Sequence, residues 1–135
     1  MTPLKFEEIS ARLKAWEFPA QIDGVVGIAS GGVVPAAMVA QQLGVGLRVI
    51  ALNYRDEANE PRHAEPKLLS KVPDLGTWRR ILLVDDVYVS GWSWEVARRH
   101  FPEEIEVLPF VFKGKQDFAL ISDLDGCVRW PWRTD

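Results

Sequence analysis

Two adjacent carboxylates stand in the most informative stretch of the chain, ILLVDDVYVSGWS at residues 81–93. Asp85 and Asp86 end an apolar run, where charged groups are costly unless they bind a cation, a hydroxyl-bearing ligand or facing N–H groups. A Ser-Gly-Trp-Ser turn follows at residues 90–93 and leads into a helical pattern, whose first N–H groups can hold a phosphate. Acids for hydroxyl groups and a turn for phosphate, this close together, predict a sugar-phosphate site. The alternative is structural, with both acids acting as helix caps.

A second turn has the residues needed to bind an anion. Ser30, Gly31 and Gly32 follow the apolar run DGVVGIA at residues 23–29 and precede another helical pattern. Glycines let the backbone approach an anion closely, and the start of the helix offers N–H donors. The sequence therefore predicts a phosphate or pyrophosphate site here, with a ligand-free tight turn as the open alternative.

Apolar periodicity predicts the elements that position these turns. Helices are expected at 3–17, 33–43 and 92–100, and strands at 23–29, 47–54, 80–84 and 105–112. Thr2 is expected to cap the first helix, with Pro3 in its first turn, and Gly44 to end the second. Strands alternating with helices predict a single α/β domain with a mostly parallel sheet flanked by helices. Ligands of such sheets bind beyond the carboxyl ends of the strands, where both turns fall.

Length, charge and composition exclude several classes of function. A chain of 135 residues is the size of one domain, and its net charge of -3 argues against general nucleic-acid binding. Its apolar stretches are far shorter than the roughly 20 residues of a membrane helix, and the N-terminus has no apolar signal core, which predicts a soluble cytoplasmic protein without a membrane partner. The single cysteine, Cys127, is expected to be a small buried residue. His63 and His100 are far apart, so any metal would be held by oxygen atoms.

A long segment without sustained periodicity separates the second predicted strand from the third. Residues 55–78 are rich in charge and contain Pro61, Pro66 and Pro73. Loops of this length inside a compact domain are usually functional. A flexible lid over the ligand site is therefore expected.

The two turns and the end of the chain resemble a known family. VDDVYVSGWS resembles the signature with which type I phosphoribosyltransferases bind 5-phosphoribosyl 1-pyrophosphate (PRPP), and GIASGGVVPAAMVAQQLG resembles their pyrophosphate loop. FVFKGKQDF and Pro131-Trp132 are similar to the C-terminal part of bacterial and archaeal xanthine-guanine enzymes. The resemblance runs from Val25 to Trp132. It implies one type I phosphoribosyltransferase domain over residues 1–135, with a small C-terminal hood at 113–135.

The resemblance also implies roles for the residues of both turns. Asp85 and Asp86 would be the catalytic acids, facing the ribose hydroxyls of PRPP directly or as ligands of Mg²⁺. The pyrophosphate would be held by Ser30, Gly31 and Gly32. The 5′-phosphate would be held by Val89, Ser90, Gly91, Trp92 and Ser93. The implied reaction transfers the phosphoribosyl group to a nucleobase and releases pyrophosphate, and relatives are commonly dimers or tetramers, which implies a homo-oligomer.

By the same resemblance, the hood would recognise the base. Lys113 matches the lysine that contacts the exocyclic oxygen of a 6-oxopurine such as xanthine or guanine, and Val128 belongs to the implied substrate-binding set. Residues 55–78 would be the lid that excludes water from an oxocarbenium-like transition state.

Three positions depart from the family pattern. Val89 stands where purine enzymes usually carry an acid near the purine N7, so no general base is available there. Cys127 aligns with an aromatic residue that stacks on the purine, for which Trp130 or Phe118 would have to substitute. Ser30 replaces a common Arg or Lys. These departures leave open a second function, a catalytically weak domain that binds PRPP or a nucleotide as a sensor or regulator.

One further motif suggests a different activity. Residues 122–126, SDLDG, look like the DxDG nucleophile motif of haloacid-dehalogenase-type phosphatases, with Asp123 as nucleophile. That motif normally opens a long domain, whereas nine residues follow Gly126. A surface turn is therefore the favoured interpretation, and a phosphatase the minor alternative.

Overall fold

Six strands form one sheet between two layers of helices. A computed structural model describes residues 1–53 and 67–134. In chain order the elements are β1 (Thr2–Pro3), α1 (Phe6–Ala15), β2 (Gly24–Ala29), α2 (Val33–Leu43), β3 (Gly46–Asn53), β4 (Lys67–Leu68), β5 (Arg80–Val87), α3 (Trp92–Arg99), β6 (Glu106–Lys113), β7 (Ala119–Ile121) and β8 (Val128–Arg129). The sheet order is β4-β3-β2-β5-β6-β7, and every neighbouring pair is parallel except β3 and β4. The predicted single α/β domain with a mostly parallel sheet is confirmed.

The central strand β5 is buried on both faces. Leu82 and Val84 pack into a core with residues of α1 and α2, whereas Ile81 and Leu83 pack into a second core with Trp94 of α3. Side chains alternate across a strand, so an unbroken apolar run such as RILLV requires helices on both sides of the sheet. Strands β2 and β5 are adjacent and parallel, so their carboxyl ends lie side by side.

The first helix begins later than its apolar pattern indicates. Thr2 and Pro3 form β1, which pairs with β8 near the other end of the chain, so the prediction of Thr2 as the helix cap and Pro3 in the first turn was wrong. Lys5 occupies the cap position and makes no side-chain capping bond. The reason is long-range: the N–H groups of Thr2 and Leu4 donate to the carbonyl oxygens of Cys127 and Arg129, at 3.1 and 3.0 Å.

Other predicted boundaries hold or shift by a few residues. Helix α2 has the predicted bounds and ends at Gly44, which adopts the expected left-handed conformation with φ 69°. Strand β5 continues through both acids to Val87, because β6 pairs with it as far as Lys113. None of the helices in the described part of the chain has the length and apolar character needed to cross a membrane.

The segment predicted to be a lid is described only in part. Residues 54–66, with His63, lie outside the described residues, so the lid remains a prediction. From residue 67 onward the segment is attached to the sheet: β4 pairs with the edge of β3, and the Ser70 hydroxyl accepts the N–H of Ala51 at 3.0 Å. The second half of the expected loop therefore covers the edge of the sheet.

An aromatic ring covers the amino-terminal ends of β2 and β3, at the end of the sheet opposite the two turns. Trp78 lies against Gly24 and Gly46, which are paired in register on β2 and β3. A Cβ atom at Gly24 would overlap the ring, and one at Gly46 would lie 2.8 Å from it. The Arg48 guanidinium is 4.7 Å from the ring centroid. The ring is thus held from more than one side and has little room to move.

Substitution of Gly24 by Ala is therefore expected to lower the free energy of unfolding, by about 1–3 kcal/mol, the usual cost of overpacking. Urea denaturation would measure the loss. The matched comparison is the same substitution in a Trp78→Leu background, where the smaller side chain should remove most of the cost. An equal loss in both backgrounds would show that the ring is not the cause.

Candidate functional site

A cleft of about 540 Å³ opens at the carboxyl end of β5. The consecutive residues 85–94 line it, together with Cys127 from the far end of the chain. The cleft thus brings the acidic pair, Asp85 and Asp86, together with the predicted phosphate turn at residues 89–93. The residues predicted to bind hydroxyl groups and those predicted to bind phosphate therefore line the same cleft.

The two acids differ in burial. Asp85 is 9% exposed, and among the described residues it is the one charged or polar residue in the buried class, whereas Asp86 is partly exposed. The N–H of Asp86 donates to Asp85 Oδ1 at 2.8 Å, and the N–H of Val87 donates to Asp86 Oδ1 at 2.8 Å. Burial, followed by the negative charge of Asp86, raises the pKa of Asp85 well above its ordinary value of 3.8. A ligand that brings hydroxyl donors or a cation would favour the charged form.

The glycine turn after β2 meets the acidic pair directly. A Cβ atom at Gly31 would lie 2.6 Å from Asp86 Oδ2, so only glycine lets the backbone come this close to the carboxylate. The N–H of Gly32 donates to the Ile28 carbonyl at 2.7 Å, so this group serves the turn itself. Ser30 is exposed and follows a cis peptide bond. The structure therefore places this glycine turn beside the acidic pair at the end of the neighbouring parallel strand, as the topology predicts.

The turn before α3 is built around Gly91. Its φ of 78° is left-handed, and a Cβ atom there would overlap the Tyr88 ring. Ser90 Oγ accepts the N–H of Trp92 at 3.3 Å, and the Gly91 carbonyl accepts the N–H of Glu95 at 2.9 Å. The first residues of α3 line the cleft, so the positive end of the helix dipole is directed into it, which would favour an anion there.

Lys113 lies beside the cleft without lining it. It pairs in register with Val87, and its carbonyl accepts the N–H of Tyr88 at 2.9 Å. Tyr88 does line the cleft, and its ring packs edge-on against Phe118 at 5.1 Å between centroids. Sequence reasoning did not single out Tyr88, although an aromatic residue between the acids and the phosphate turn was a visible signal.

The end of the chain differs from expectation. Cys127 is exposed and lines the cleft, so its prediction as a buried residue was wrong. The cause is the pairing of β8 with β1, which begins at Val128 and leaves Cys127 at the rim. Val128 itself packs against the core. Trp130 is 5% exposed and stacks on Trp132, with centroids 5.0 Å apart, so it is not available to stack on a base in the cleft.

Comparison with known proteins decides the family. Residues 4–123 match the family model described as the phosphoribosyl transferase domain. The chain belongs to this family. The resemblance inferred from the two turns is therefore confirmed over most of the phosphoribosyltransferase domain.

Individual relatives agree with this assignment. Xanthine-guanine phosphoribosyltransferase of Gluconobacter oxydans (strain 621H) is 31% identical over 117 residues, which cover 82% of this chain and 68% of the relative. A hypothetical protein of Neisseria gonorrhoeae, crystallised with bound ppGpp, superposes with a TM-score of 0.77 at 21% identity, covering 98% of this chain and 90% of the other. Purine phosphoribosyltransferase of Pyrococcus horikoshii superposes with a TM-score of 0.69 at 20% identity, covering 99% and 94%. The two structures share the fold of this phosphoribosyltransferase domain.

The acidic pair also fits the metal used in this family. Phosphoribosyltransferases generally use Mg²⁺ with PRPP. No group of three or more His, Cys, Asp or Glu side chains that could hold a metal occurs in the described ranges, 1–53 and 67–134. Mg²⁺ is typically bound by one or two carboxylates together with substrate phosphates and water. The oxygen atoms of Asp85 and Asp86 suit a metal of that kind, which would arrive with a phosphorylated ligand.

The motif considered for a phosphatase lies apart from this cleft. Both carboxylate oxygens of Asp123 accept hydrogen bonds from the Arg12 guanidinium, at 3.0 and 3.1 Å. Asp125 is paired with Lys115 at 2.8 Å. Each acid is thus held by a cation on the surface of the phosphoribosyltransferase domain, as expected for a structural turn.

Replacement of Asp85 by Asn is expected to make the stability of the domain less sensitive to rising pH. The raised pKa of Asp85 means that the folded protein keeps a proton that the unfolded chain releases above about pH 4. The wild-type carboxyl therefore lowers the free energy of unfolding as the pH rises through this range, whereas Asn does not titrate. Urea denaturation in metal-free buffer should show that the free energy of unfolding of the variant, relative to that of the wild type, rises from about pH 4 to about pH 8.

Asp125→Asn supplies a control of opposite sign. A hydrogen bond from Lys115 lowers the pKa of Asp125, so its contribution is present above the unfolded pKa and is lost as the pH falls. The free energy of unfolding of Asp125→Asn, relative to that of the wild type, should fall as the pH rises. Because the pair is exposed, this change should be small or too small to measure. A difference between Asp85→Asn and wild type that does not change with pH would contradict the effect of burial.

Proposed function

We propose that this domain transfers the 5-phosphoribosyl group of PRPP to a nucleobase nitrogen and releases pyrophosphate. The observation that carries the proposal is the position of the acidic pair between two turns: Asp86 faces Gly31 of the glycine turn, and the phosphate turn at residues 90–93 lies in the same cleft as the acids. PRPP carries its pyrophosphate, ribose hydroxyls and 5′-phosphate in that order. One PRPP molecule therefore matches the glycine turn, the acidic pair and the phosphate turn together.

The proposed reaction depends mainly on positioning and electrostatics. The bond between ribose C1 and the pyrophosphate oxygen breaks, and a bond from the base nitrogen to C1 forms. Asp85 and Asp86 orient the ribose through its hydroxyls, and the negative charge of the pair stabilises the positive charge that develops on the ring. The turn at 90–93 and the start of α3 hold the 5′-phosphate. Bound Mg²⁺ would neutralise charge on the departing pyrophosphate.

Val89 limits the choice of base. Its side chain is 86% exposed and has no group that accepts a proton, so the proton on the base nitrogen must leave without help from this position. Bases that ionise readily, such as xanthine, suit a site of this kind. Lys113, next to the cleft, would contact the exocyclic oxygen of a 6-oxopurine. We propose xanthine or guanine as the preferred acceptor base, in a nucleotide-salvage reaction. We also propose that the protein forms a homodimer or homotetramer.

The direct test measures pyrophosphate release from PRPP and Mg²⁺ with a panel of xanthine, guanine, hypoxanthine, adenine, orotate and uracil. We expect release with at least one 6-oxopurine and none with the folded Asp85→Asn/Asp86→Asn double variant. Calorimetry should give binding of Mg²⁺-PRPP to the wild type with micromolar affinity, about -8 kcal/mol, and loss of this binding in the double variant. Unchanged PRPP affinity in the double variant would refute the site assignment.

A second candidate function is a catalytically weak domain that binds PRPP or a nucleotide as a sensor or regulator. Two observations favour it: Val89 offers no acid at the mouth of the cleft, and the similar structure from Neisseria gonorrhoeae contains bound ppGpp. PRPP binding without pyrophosphate release for any base would select this function. Steady release with one base would exclude a purely regulatory role.

Val89→Asp should separate a missing acid from other causes of slow turnover. The position is exposed, so the substitution should change stability little, and general acid–base catalysis typically contributes about 10²–10⁴-fold. We expect kcat/KM for guanine or hypoxanthine to rise by about tenfold or more, measured by pyrophosphate release. Val89→Asn, whose side chain has the shape of aspartate but does not titrate, should leave kcat/KM unchanged. Equal rates for both variants would show that this position does not limit catalysis.

A further inference from the structure

One short segment contributes a residue to the lining of the cleft from outside β5, the turn after it and α3. Residues 122–129, here called the strap, comprise the connection that follows β7 and the strand β8 itself. Cys127, within the strap, is the one cleft-lining residue outside 85–94 among the described residues. The position of Cys127 therefore bounds the cleft on that side.

The strap is held by residues 1–12, the N-terminal segment. Asp123 receives two hydrogen bonds from Arg12 on α1, one on each carboxylate oxygen, at 3.0 and 3.1 Å. The carbonyl of Cys127 accepts the N–H of Thr2 at 3.1 Å, and Thr2 and Val128 are paired in register. The backbone of the cleft-lining residue is thus bonded directly to the N-terminal segment.

The strap is also joined to Lys115, which lies in the connection between β6 and β7. Lys115 Nζ lies 2.8 Å from Asp125 Oδ1 and 3.4 Å from the Ser122 carbonyl oxygen. This pair is exposed, with 63% and 96% of the two side chains accessible, so water and salt weaken it. The contact between Arg12 and Asp123 has the two-pronged geometry that fixes orientation as well as distance.

We propose that Arg12 is a positioning residue which, through Asp123, holds the strap and Cys127 at the side of the cleft where the base lies. This inference rests on the proposed function, since it assigns the base side of the same site. Arg12 and Asp123 are 38% and 61% exposed, so their loss should affect the strap and leave the global fold intact. The acids and the phosphate turn do not depend on this contact. Substitution of Arg12 should therefore weaken binding of a ligand that carries a base and leave binding of a ligand without a base unchanged.

The first test uses Cys127, which is the single cysteine in the chain. In Arg12→Gln we expect a thiol reagent to modify Cys127 about threefold to fivefold faster than in the wild type, the range expected when an exposed ion pair is lost. The exchange Arg12→Asp/Asp123→Arg should restore the wild-type rate. Lys14→Gln, which removes an exposed cation of the same helix, is the matched control and should leave the rate unchanged.

The second test compares binding of xanthosine 5′-monophosphate, which carries a base, with binding of Mg²⁺-PRPP, which does not. Arg12→Gln should weaken the nucleotide by about threefold to fivefold and change PRPP affinity by less than about twofold, and the exchanged pair should recover nucleotide binding. Equal losses for both ligands, or no loss for either, would overturn the proposal, as would an unchanged Cys127 rate. If the wild type binds neither ligand, the proposed function fails, and the Cys127 rate alone decides whether Arg12 positions the strap.

Discussion

Strand β5 carries two carboxylates out of a core that excludes water, and the cleft is organised around this constraint. Removing a carboxyl from water is costly unless donors replace its hydration. The backbone supplies one donor to each acid, from the N–H groups of Asp86 and Val87. Burial still raises the pKa of Asp85. The ligand-free fold therefore carries an electrostatic cost that a ligand can relieve, a common exchange of stability for function.

The topology of the sheet brings two strand-to-helix turns to the acidic pair. Because β2 and β5 are parallel neighbours, the turns that follow them emerge at the same edge. Gly31 lets the first turn touch the acid at the end of the second strand, and Gly91 starts α3 so that its positive end lines the cleft. Two ordinary strand-to-helix connections are thus enough to bring the glycine turn, the acidic pair and the turn at residues 90–93 close together.

Sequence reasoning worked where the determinants are local. Helix α2 was predicted at its observed bounds, since its apolar residues and Gly44 act within the helix or next to it. The acidic pair was found from residue type alone, because charge at the end of a buried strand is costly. Local patterns did not reveal the pairing of β1 with β8, and for that reason Thr2 was assigned to a helix and Cys127 to the core. The sequence left Trp130 as a candidate for stacking on a base, because residue spacing does not distinguish a buried ring from an accessible one.

The link between Arg12 and Asp123 joins residues separated by 111 positions in the chain. Closing so long a loop costs more conformational entropy than forming a β–α–β unit, although each doubling of loop length adds only about 0.6 kcal/mol. The acidic pair and the phosphate turn need only contacts between neighbouring strands, whereas the opposite wall needs the two ends of the chain to meet. The side of the cleft that Cys127 lines thus depends on contacts between more distant parts of the chain than the side formed by β5 and the turn after it.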